Sequence, residues 1–468
     1  MFWEVAGTKP LFGRKDNDMT EGRILPQLLT YAVTLSIGML FQQMYNTVDT
    51  IVVGRYVGKE ALAAVGSTAS IINMLVGLGA GLATGASVVV SQCYGAHDDE
   101  RLSRAVHTTI AGAFILSILS TFLGLIIVDP MLHLMKTPAD VMDSARQYLS
   151  IFFSGITGLF LYNIGSGILR AVGDAQRPLY FLCFSAVLNI IFDLLFVVSF
   201  HMGVAGVAIA TILSQGISAV LVLVILTRDT GPYAIRWKKL KLDGHMLRKI
   251  LDIGFPSAIQ QAITSFSNVF VQGYINFFGS SCMAGWTSYN KIDIFILIPL
   301  QAISMAATTF VGQNYGAGQI ERAKEGTRKS LNISLIITTV LVAVVMTISP
   351  FLCRLFTTDE EVVGYGVHFL RMIAPFYIIC CFNIILSGAM RGVGNTKVPT
   401  LVMLLSFVLF RQIYLYTVKL MGNNFNLISL AYPMGWVLCS VLMILLYHNS
   451  ILGSKKGGKS GEKTSLQG

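Results

Sequence analysis

Apolar runs of about twenty residues recur from one end of this chain to the other. A helix of that length spans the roughly 30 Å hydrocarbon core of a bilayer. The 468 residues are 54% hydrophobic and 12% charged, whereas a soluble domain carries about 25% charged residues. A porin-like barrel would need alternating segments of about ten residues, which the sequence lacks. We therefore predict an all-α polytopic membrane protein. Its twelve predicted spans are residues 25–53, 61–90, 105–128, 146–168, 178–200, 203–227, 252–277, 284–311, 329–352, 364–389, 398–420 and 427–448.

Lysines and arginines are distributed unevenly between the two sides of the predicted membrane. If both termini are cytoplasmic, 25 of the 34 lie in the tails and loops on that side. Cytoplasmic loops of membrane proteins carry such an excess. The net charge of +10 therefore reflects topology and attraction to anionic lipids, and we expect no binding to nucleic acid.

Three stretches of the first half recur in the second half at one ungapped offset. VVSQCYG and FVGQNYG pair Gly95 with Gly316, a difference of 221. LRAVGDAQRP matches MRGVGNTKVP at the same offset, as YVGKEALAAVGS matches FFGSSCMAGWTS. Two six-span lobes related in this way are typical of transporters, whose substrate path lies at the repeat interface. We predict a leader at 1–23, an N-lobe at 24–228, a basic cytoplasmic loop at 229–249, a C-lobe at 250–450 and a cytoplasmic tail at 451–468.

The first predicted span contains a carboxylate within otherwise apolar sequence. Gln42, Tyr45 and Asp49 follow one another at i, i+3 and i+7, so they share a helical face. A charged side chain at that depth costs about 2.5–3.5 kcal/mol even on a mild insertion scale, which makes Asp49 a candidate functional residue. The alternative is an interfacial aspartate near the end of the helix.

A second carboxylate, Asp193, lies at a similar predicted depth in the fifth span. Asn189 shares its face four residues earlier, and Thr211 in the sixth span returns to the same level. Two carboxylates in a low-dielectric site do not both ionise easily. Such a pair can hold a proton or a small cation and release it when the lobe rearranges. Taken singly, each of these residues would be explained by hydrogen bonds that hold helices together.

The second lobe lacks this acid pair, since Phe270 and Tyr414 occupy the equivalent positions. Its seventh span instead carries a polar, uncharged stripe that either lines a wet cavity or forms a helix–helix seam. The stripe comprises Gln261, Ser265, Asn268, Gln272 and Asn276.

Three charged residues lie within other C-lobe spans. Lys291 and Asp293 are two residues apart in the eighth span and do not face each other on a helix. Arg411 in the eleventh span is a candidate partner for Asp293. Their role is either functional or that of a structural ion pair.

No catalytic or cofactor motif is evident in the sequence. A Walker sequence, a Ser–His–Asp order and a His/Cys metal cluster are all absent. The seven cysteines are scattered mostly through apolar runs and are interpreted as small core hydrophobes. We therefore expect no enzymatic activity, no metal site, no cofactor and no use of ATP by this chain.

The residues resemble the MATE family of multidrug and toxic compound extrusion transporters, and the bacterial type is most similar. The resemblance covers nearly the whole chain and is carried by QQMYNTVDTIVVGRYVG, LRAVGDAQRP and VLNIIFDLLF. It implies two six-helix lobes around a central cavity, with export of organic cations or amphipathic drugs in exchange for protons or sodium. The cation site that it implies comprises Asp49, Asn189, Asp193 and Thr211. The neighbouring cavity residues are Gln42, Tyr45, Tyr148 and Asn163.

These observations together predict a secondary active antiporter of the bacterial inner membrane, monomeric, with both termini cytoplasmic. The alternative is a lipid-linked saccharide flippase of the same superfamily, which a strongly cationic central cavity would favour. Because Lys291 and Arg411 are the only charges that the sequence offers to such a cavity, the drug exporter is preferred. A receptor or structural protein would lose nothing when either carboxylate is removed.

Overall fold

The computed structural model describes residues 18–135 and 137–453, and nearly all of this part of the chain is α-helical, with no strand within it. The predicted leader before residue 18 and the tail after residue 453 lie outside the described residues. The helices are α1 (Ile24–Val52), α2 (Lys59–Gly95), α3 (Asp99–Leu134), α4 (Ala139–Ser154), α5 (Ile156–Ala171), α6 (Gln176–Asp193), α7 (Gly203–Arg228), α8 (Gly244–Asn276), α9 (Ser280–Gly316), α10 (Ile320–Arg354), α11 (Glu360–Ile373), α12 (Tyr377–Gly392), α13 (Lys397–Met403), α14 (Arg411–Leu420), α15 (Phe425–Ser429) and α16 (Ala431–His448).

The predicted class, an all-α polytopic membrane protein, is confirmed. Ten helical stretches in the described chain are long and apolar enough to cross a bilayer. Helices α4 and α5, bent by 48° at their junction, form an eleventh if they are counted as one span. The predicted seventh span lies within α8, which is 33 residues long but is not among those stretches. Its polar stripe lowers its mean hydropathy, and its assignment as a membrane span stays a prediction.

π-helical turns interrupt three of the spans. Val53–Val57 continues α1, Leu194–Ser199 continues α6, and Leu404–Phe410 joins α13 to α14. Such turns are rare and are frequent at functional sites. Two of them adjoin a buried charged residue, because Asp193 ends α6 and Arg411 begins α14.

Repeat-related glycines end equivalent helices in the two halves of the chain. Gly173 follows α5 with φ of 88°, and Gly394 follows α12 with φ of 86°. A residue without Cβ adopts this left-handed conformation at no steric cost, which ends a helix cleanly. The same turn is therefore built once in each repeat, and this accounts for the glycine in the repeated motif.

The two halves of the chain meet mainly at one end of the bundle, the predicted cytoplasmic end. There α2 packs along α8 and against α9, and α1 also packs against α9. A Cβ on Gly85 would lie 2.3 Å from the Ile250 carbonyl oxygen, and a Cβ on Gly95 would lie 1.9 Å from that of Gln313. Small residues allow the close backbone approach that drives helix association in membranes. The cleft between the lobes is consequently closed at this end.

Two glutamines, which we call the glutamine clasp, reinforce this closure. Gln92 Nε2 donates to the Gly392 carbonyl at 2.8 Å, and Gln313 Nε2 donates to the Ala171 carbonyl at 2.8 Å. The two donors are related by the offset of the internal repeat, and so are the two acceptors. Each lobe therefore bonds to the last carbonyl of the equivalent helix in the other lobe. Gln313 Oε1 also accepts from the Met19 amide at 2.9 Å.

Candidate functional site

Asp49 and Asp193, which we call the acid pair, lie together in the first lobe. Their carboxyl groups are within hydrogen-bonding reach of each other. Asp193 is fully buried and Asp49 is half-buried. Both oxygens of Asp193 and Oδ1 of Asp49 have no hydrogen-bond partner among the described residues. A carboxylate oxygen only accepts hydrogen bonds. A proton or a small cation placed between the two groups would therefore supply the partner that these oxygens lack.

The predicted neighbours Asn189 and Thr211 differ in what they offer this site. Asn189 lies one turn before Asp193, is 1% exposed, and has no partner for either amide atom in the described structure. The Thr211 hydroxyl donates at 3.0 Å to the backbone of its own helix, which leaves only its lone pairs available. Ser185 Oγ donates to the Ser214 carbonyl at 3.0 Å and fixes α6 against α7 beside them.

Two predicted tyrosines lie close to the acid pair. Tyr148 on α4 is within electrostatic range of both carboxylates, and Tyr45 on α1 is within range of the first. The side chains of Gln42 and Gln215 lie near the Tyr45 hydroxyl. Gln215 was not predicted, although it follows Thr211 by four residues on α7 and therefore shares its face. That spacing was the signal available in the sequence.

A cavity of about 560 Å³ lies between the lobes, with residues of both halves in its wall. Its volume falls within the roughly 300–1,000 Å³ of small-molecule sites. Of the predicted cavity residues, Gln42, Asn163 and Gln261 line it. Amides and hydroxyls alternate in the wall with apolar side chains such as Leu35 and Met39.

The charged residues in the wall of this cavity are Arg170 and Arg391, and no carboxylate occurs among the described lining residues. The expectation that Lys291 and Arg411 supply the charge is wrong, since neither lines the cavity and Lys291 is exposed. Both cavity arginines belong to the repeated motif and occupy equivalent positions in its two copies. The motif identified the internal repeat. The arginine that both of its copies contain was the sequence signal for a site in the cavity.

The polar stripe on α8 does not form one continuous surface of the cavity. Gln261 lines the cavity, whereas Asn268 Oδ1 accepts from Arg411 Nη1 at 3.0 Å. Gln272 forms a 2.8 Å hydrogen bond within its own helix at an exposed position. The side chain of Ser265 lies outside the described structure.

Asp293 and Arg411 do not form the predicted ion pair among the described residues. Asp293 accepts a hydrogen bond from the Tyr377 hydroxyl, and Tyr289 Oη lies 3.5 Å away. The guanidinium of Arg411 lies 4.2 Å from the ring centroid of Tyr432, and its Nε has no partner in the described chain. Hydroxyl groups and an aromatic face stabilise the two charges separately.

The helical fold, the duplicated units and the cavity between them define a membrane transporter. The MatE family profile matches residues 35–195 and 256–417, which together make up more than half of the chain. The second match begins one repeat offset after the first. The chain belongs to the MatE family, the multidrug and toxic compound extrusion transporters, and the predicted resemblance is confirmed.

Relatives and solved structures agree with this assignment. The chain is 30% identical over 402 residues to the probable multidrug resistance protein YpnP of Bacillus subtilis, covering 85% of this chain and 89% of that one. It is 24% identical to an FAD transporter of Shewanella oneidensis over 80% of this chain and 84% of the relative. An outward-facing multidrug resistance MATE family transporter aligns with a TM-score of 0.87 at 23% identity, over 93% of this chain and 98% of that chain. That structural likeness supports the fold.

Proposed function

We propose that this protein is a secondary active multidrug exporter that exchanges amphipathic small molecules for H⁺ or Na⁺ bound at the acid pair. The observation that carries the proposal is the proximity of two carboxyl groups, three of whose four oxygens are buried without a hydrogen-bond partner in the described structure. Family membership and the name of the YpnP relative support export as the direction of transport.

Coupling follows from differential affinity. A proton or a small cation at the acid pair removes the repulsion between the two carboxylates, and it binds more tightly in whichever conformation holds them together. A ligand shifts an equilibrium only by the ratio of its affinities for the two states, and the effect on the second ligand is reciprocal. The π-helical turns that follow Asp193 provide a segment of α6 whose hydrogen bonding can rearrange.

The remaining parts of the proposal concern setting and substrate. We place the protein in the bacterial inner membrane as a monomer with both termini cytoplasmic, in line with its basic loops. Cationic drugs are the substrates that the family resemblance implies. A lipid-linked saccharide flippase is the second candidate, and the observation that favours it is the pair of arginines in a cavity wall without a described carboxylate.

Gradient-driven dye transport tests the role of the acid pair. Proteoliposomes loaded with a fluorescent dye receive an imposed pH or sodium gradient, and efflux is compared for the parent, Asp49→Asn and Asp193→Asn. Asp129→Asn, at a 56% exposed side chain on α3, is the matched control. We expect both acid-pair variants to lose the gradient-dependent component while the control keeps it. Parent-like, gradient-driven efflux in both variants would contradict the proposal.

A further inference from the structure

The two half-buried arginines in the cavity wall have no charge partner in the described structure. Arg391 Nη1 donates to Ser387 Oγ at 2.9 Å and Nη2 donates to Ser304 Oγ at 3.4 Å, and both acceptors are neutral. Neither Arg391 nor Arg170 forms a salt bridge within the described part of the chain. A cation without a counter-ion inside a membrane protein is costly and marks a functional site.

The acidic residue that follows Arg170 in the sequence already has a charge partner. Asp174 lies four residues after Arg170 but forms an ion pair with Arg177, which also contacts Asp229 at 3.3 Å. That carboxylate is therefore committed to a buried network at the end of α5 and α6. Its negative charge therefore does not neutralise the arginines in the cavity wall.

The wall around the arginines selects for shape as well as charge. Gln260 and Gln301 add amide groups, and Leu35, Met39 and Leu179 add apolar surface. A guanidinium presents parallel N–H donors that match the two oxygens of a carboxylate, sulfonate or phosphate. A cationic molecule in the same place would meet two like charges.

We propose that the central cavity binds an amphipathic organic anion, whose charged group lies between Arg170 and Arg391 and whose apolar part rests against the surrounding side chains. This inference rests on the proposed function, because the bound anion would be the exported substrate. One arginine comes from α5 and the other from the equivalent helix α12, so an anion bound to both would join the two lobes. The acid pair is then left for the coupling ion.

A pair of xanthene dyes of opposite charge tests the charge preference. Fluorescein is anionic and rhodamine 6G is cationic, and their aromatic cores are similar. Fluorescence anisotropy measures the binding of each dye to purified protein in nanodiscs. We expect fluorescein to bind more tightly to the parent, and Arg170→Gln and Arg391→Gln each to weaken it between about 10-fold and 100-fold, as expected for the loss of a charged hydrogen bond.

Matched variants separate this effect from a folding defect. Arg146→Gln removes an arginine whose side chain is 44% exposed and paired with Asp129, so fluorescein affinity should not change. Arg170→Lys keeps the charge and should restore part of the affinity. Rhodamine binding should be unchanged or tighter in the glutamine variants. Parent-like fluorescein affinity in both glutamine variants, or tighter rhodamine than fluorescein binding in the parent, would overturn the inference.

Further experiments distinguish a soluble anion from a lipid headgroup, and they test the anion site separately from the proposed export function. Displacement of fluorescein by 1-naphthoate alone supports a soluble anion, displacement by added phosphatidylglycerol supports a lipid headgroup, and displacement by neither overturns the anion site. Arginine-dependent binding without any gradient-driven transport would reject the exporter and keep the anion site. Gradient-driven rhodamine export that depends on Asp49 but not on the arginines would do the reverse.

Discussion

Replacement of Gln313 by alanine should open the predicted cytoplasmic end of the cleft. Its side chain is fully buried, donates to the Ala171 carbonyl at 2.8 Å and accepts from the Met19 amide at 2.9 Å. Truncation leaves a buried carbonyl and a buried N–H without partners in the closed state. Each such group costs about 1–3 kcal/mol. In an open state the same groups reach water, so the cost falls on the closed state.

At the lower limit of about 2 kcal/mol, the ratio of open to closed molecules rises about thirtyfold. Gln92→Ala, at the repeat-related position, should act less strongly. Gln92 is half-buried and donates one hydrogen bond, to the Gly392 carbonyl. Loss of about 1 kcal/mol corresponds to about a fivefold change. The two halves of the clasp are therefore unequal despite their symmetry, because the Met19 amide donates to Gln313 and Gln92 has no such additional bond.

Double electron–electron resonance between two spin labels tests whether Gln313→Ala opens the cleft more than Gln92→Ala does. Glu100→Cys and Glu321→Cys carry the labels in a background free of the native cysteines. The two positions are repeat-related, lie in the first turns of α3 and α10, and have side chains 84% and 83% exposed. We expect a longer-distance population to grow strongly in Gln313→Ala and weakly in Gln92→Ala. Gln147→Ala, at an exposed glutamine on α4, serves as the control.

A distance distribution in Gln313→Ala identical to that of the parent would refute the reasoning. A larger effect of Gln92→Ala would refute it as well, because the buried hydrogen bonds would then not determine the balance. A change in the Gln147→Ala control would show that the measurement responds to something other than the clasp.

Two further predictions concern stability. Burial alone would raise the pKa of Asp229, but hydrogen bonds from a backbone amide, Tyr233 and Arg177 outweigh it and hold that pKa below its usual range. Asp229 therefore stabilises the fold at neutral pH, and this contribution is lost as the pH falls through the folded-state pKa, so Asp229→Asn should flatten the acid limb of a melting-temperature profile. Gly95→Ala should lower the melting temperature because its Cβ would lie 1.9 Å from the facing α9 backbone. Gly112→Ala, with no neighbour nearer than 4.0 Å, should instead stabilise the protein by about 0.5–1 kcal/mol. Equal melting temperatures for the two variants would contradict the packing argument.

Features that follow from helix geometry or from the internal repeat were predictable from the sequence. The depth of Asp49 and Asp193 followed from the regular rise of a helix, about 1.5 Å per residue, and from the alternating direction of the spans. The structure places the two carboxyl groups together. The helical turns at Gly173 and Gly394 follow in the same way from a duplicated motif.

Features that depend on how helices rotate and cross were not predictable in this way. Asp293 and Arg411 were paired by charge, yet the structure surrounds them separately with tyrosines. A sequence of residue types does not specify the azimuth of α14 relative to α9, which decides whether the two charges meet. The same limit applies to Arg170, whose place in the cavity wall depends on the rotation of α5.

Asp293, the acid pair and the two cavity arginines differ in what surrounds them. Asp293 accepts a hydrogen bond from the Tyr377 hydroxyl, a partner that the protein itself supplies. The acid pair has unpartnered oxygens in the described chain, and Arg170 and Arg391 have no described counter-ion. Removing a charge from water without a partner is unfavourable, so a ligand of opposite charge would stabilise each of these sites. The two incomplete sites have opposite signs, so a cation suits one and an anion suits the other, and neither ligand would compete for the site of its counterpart.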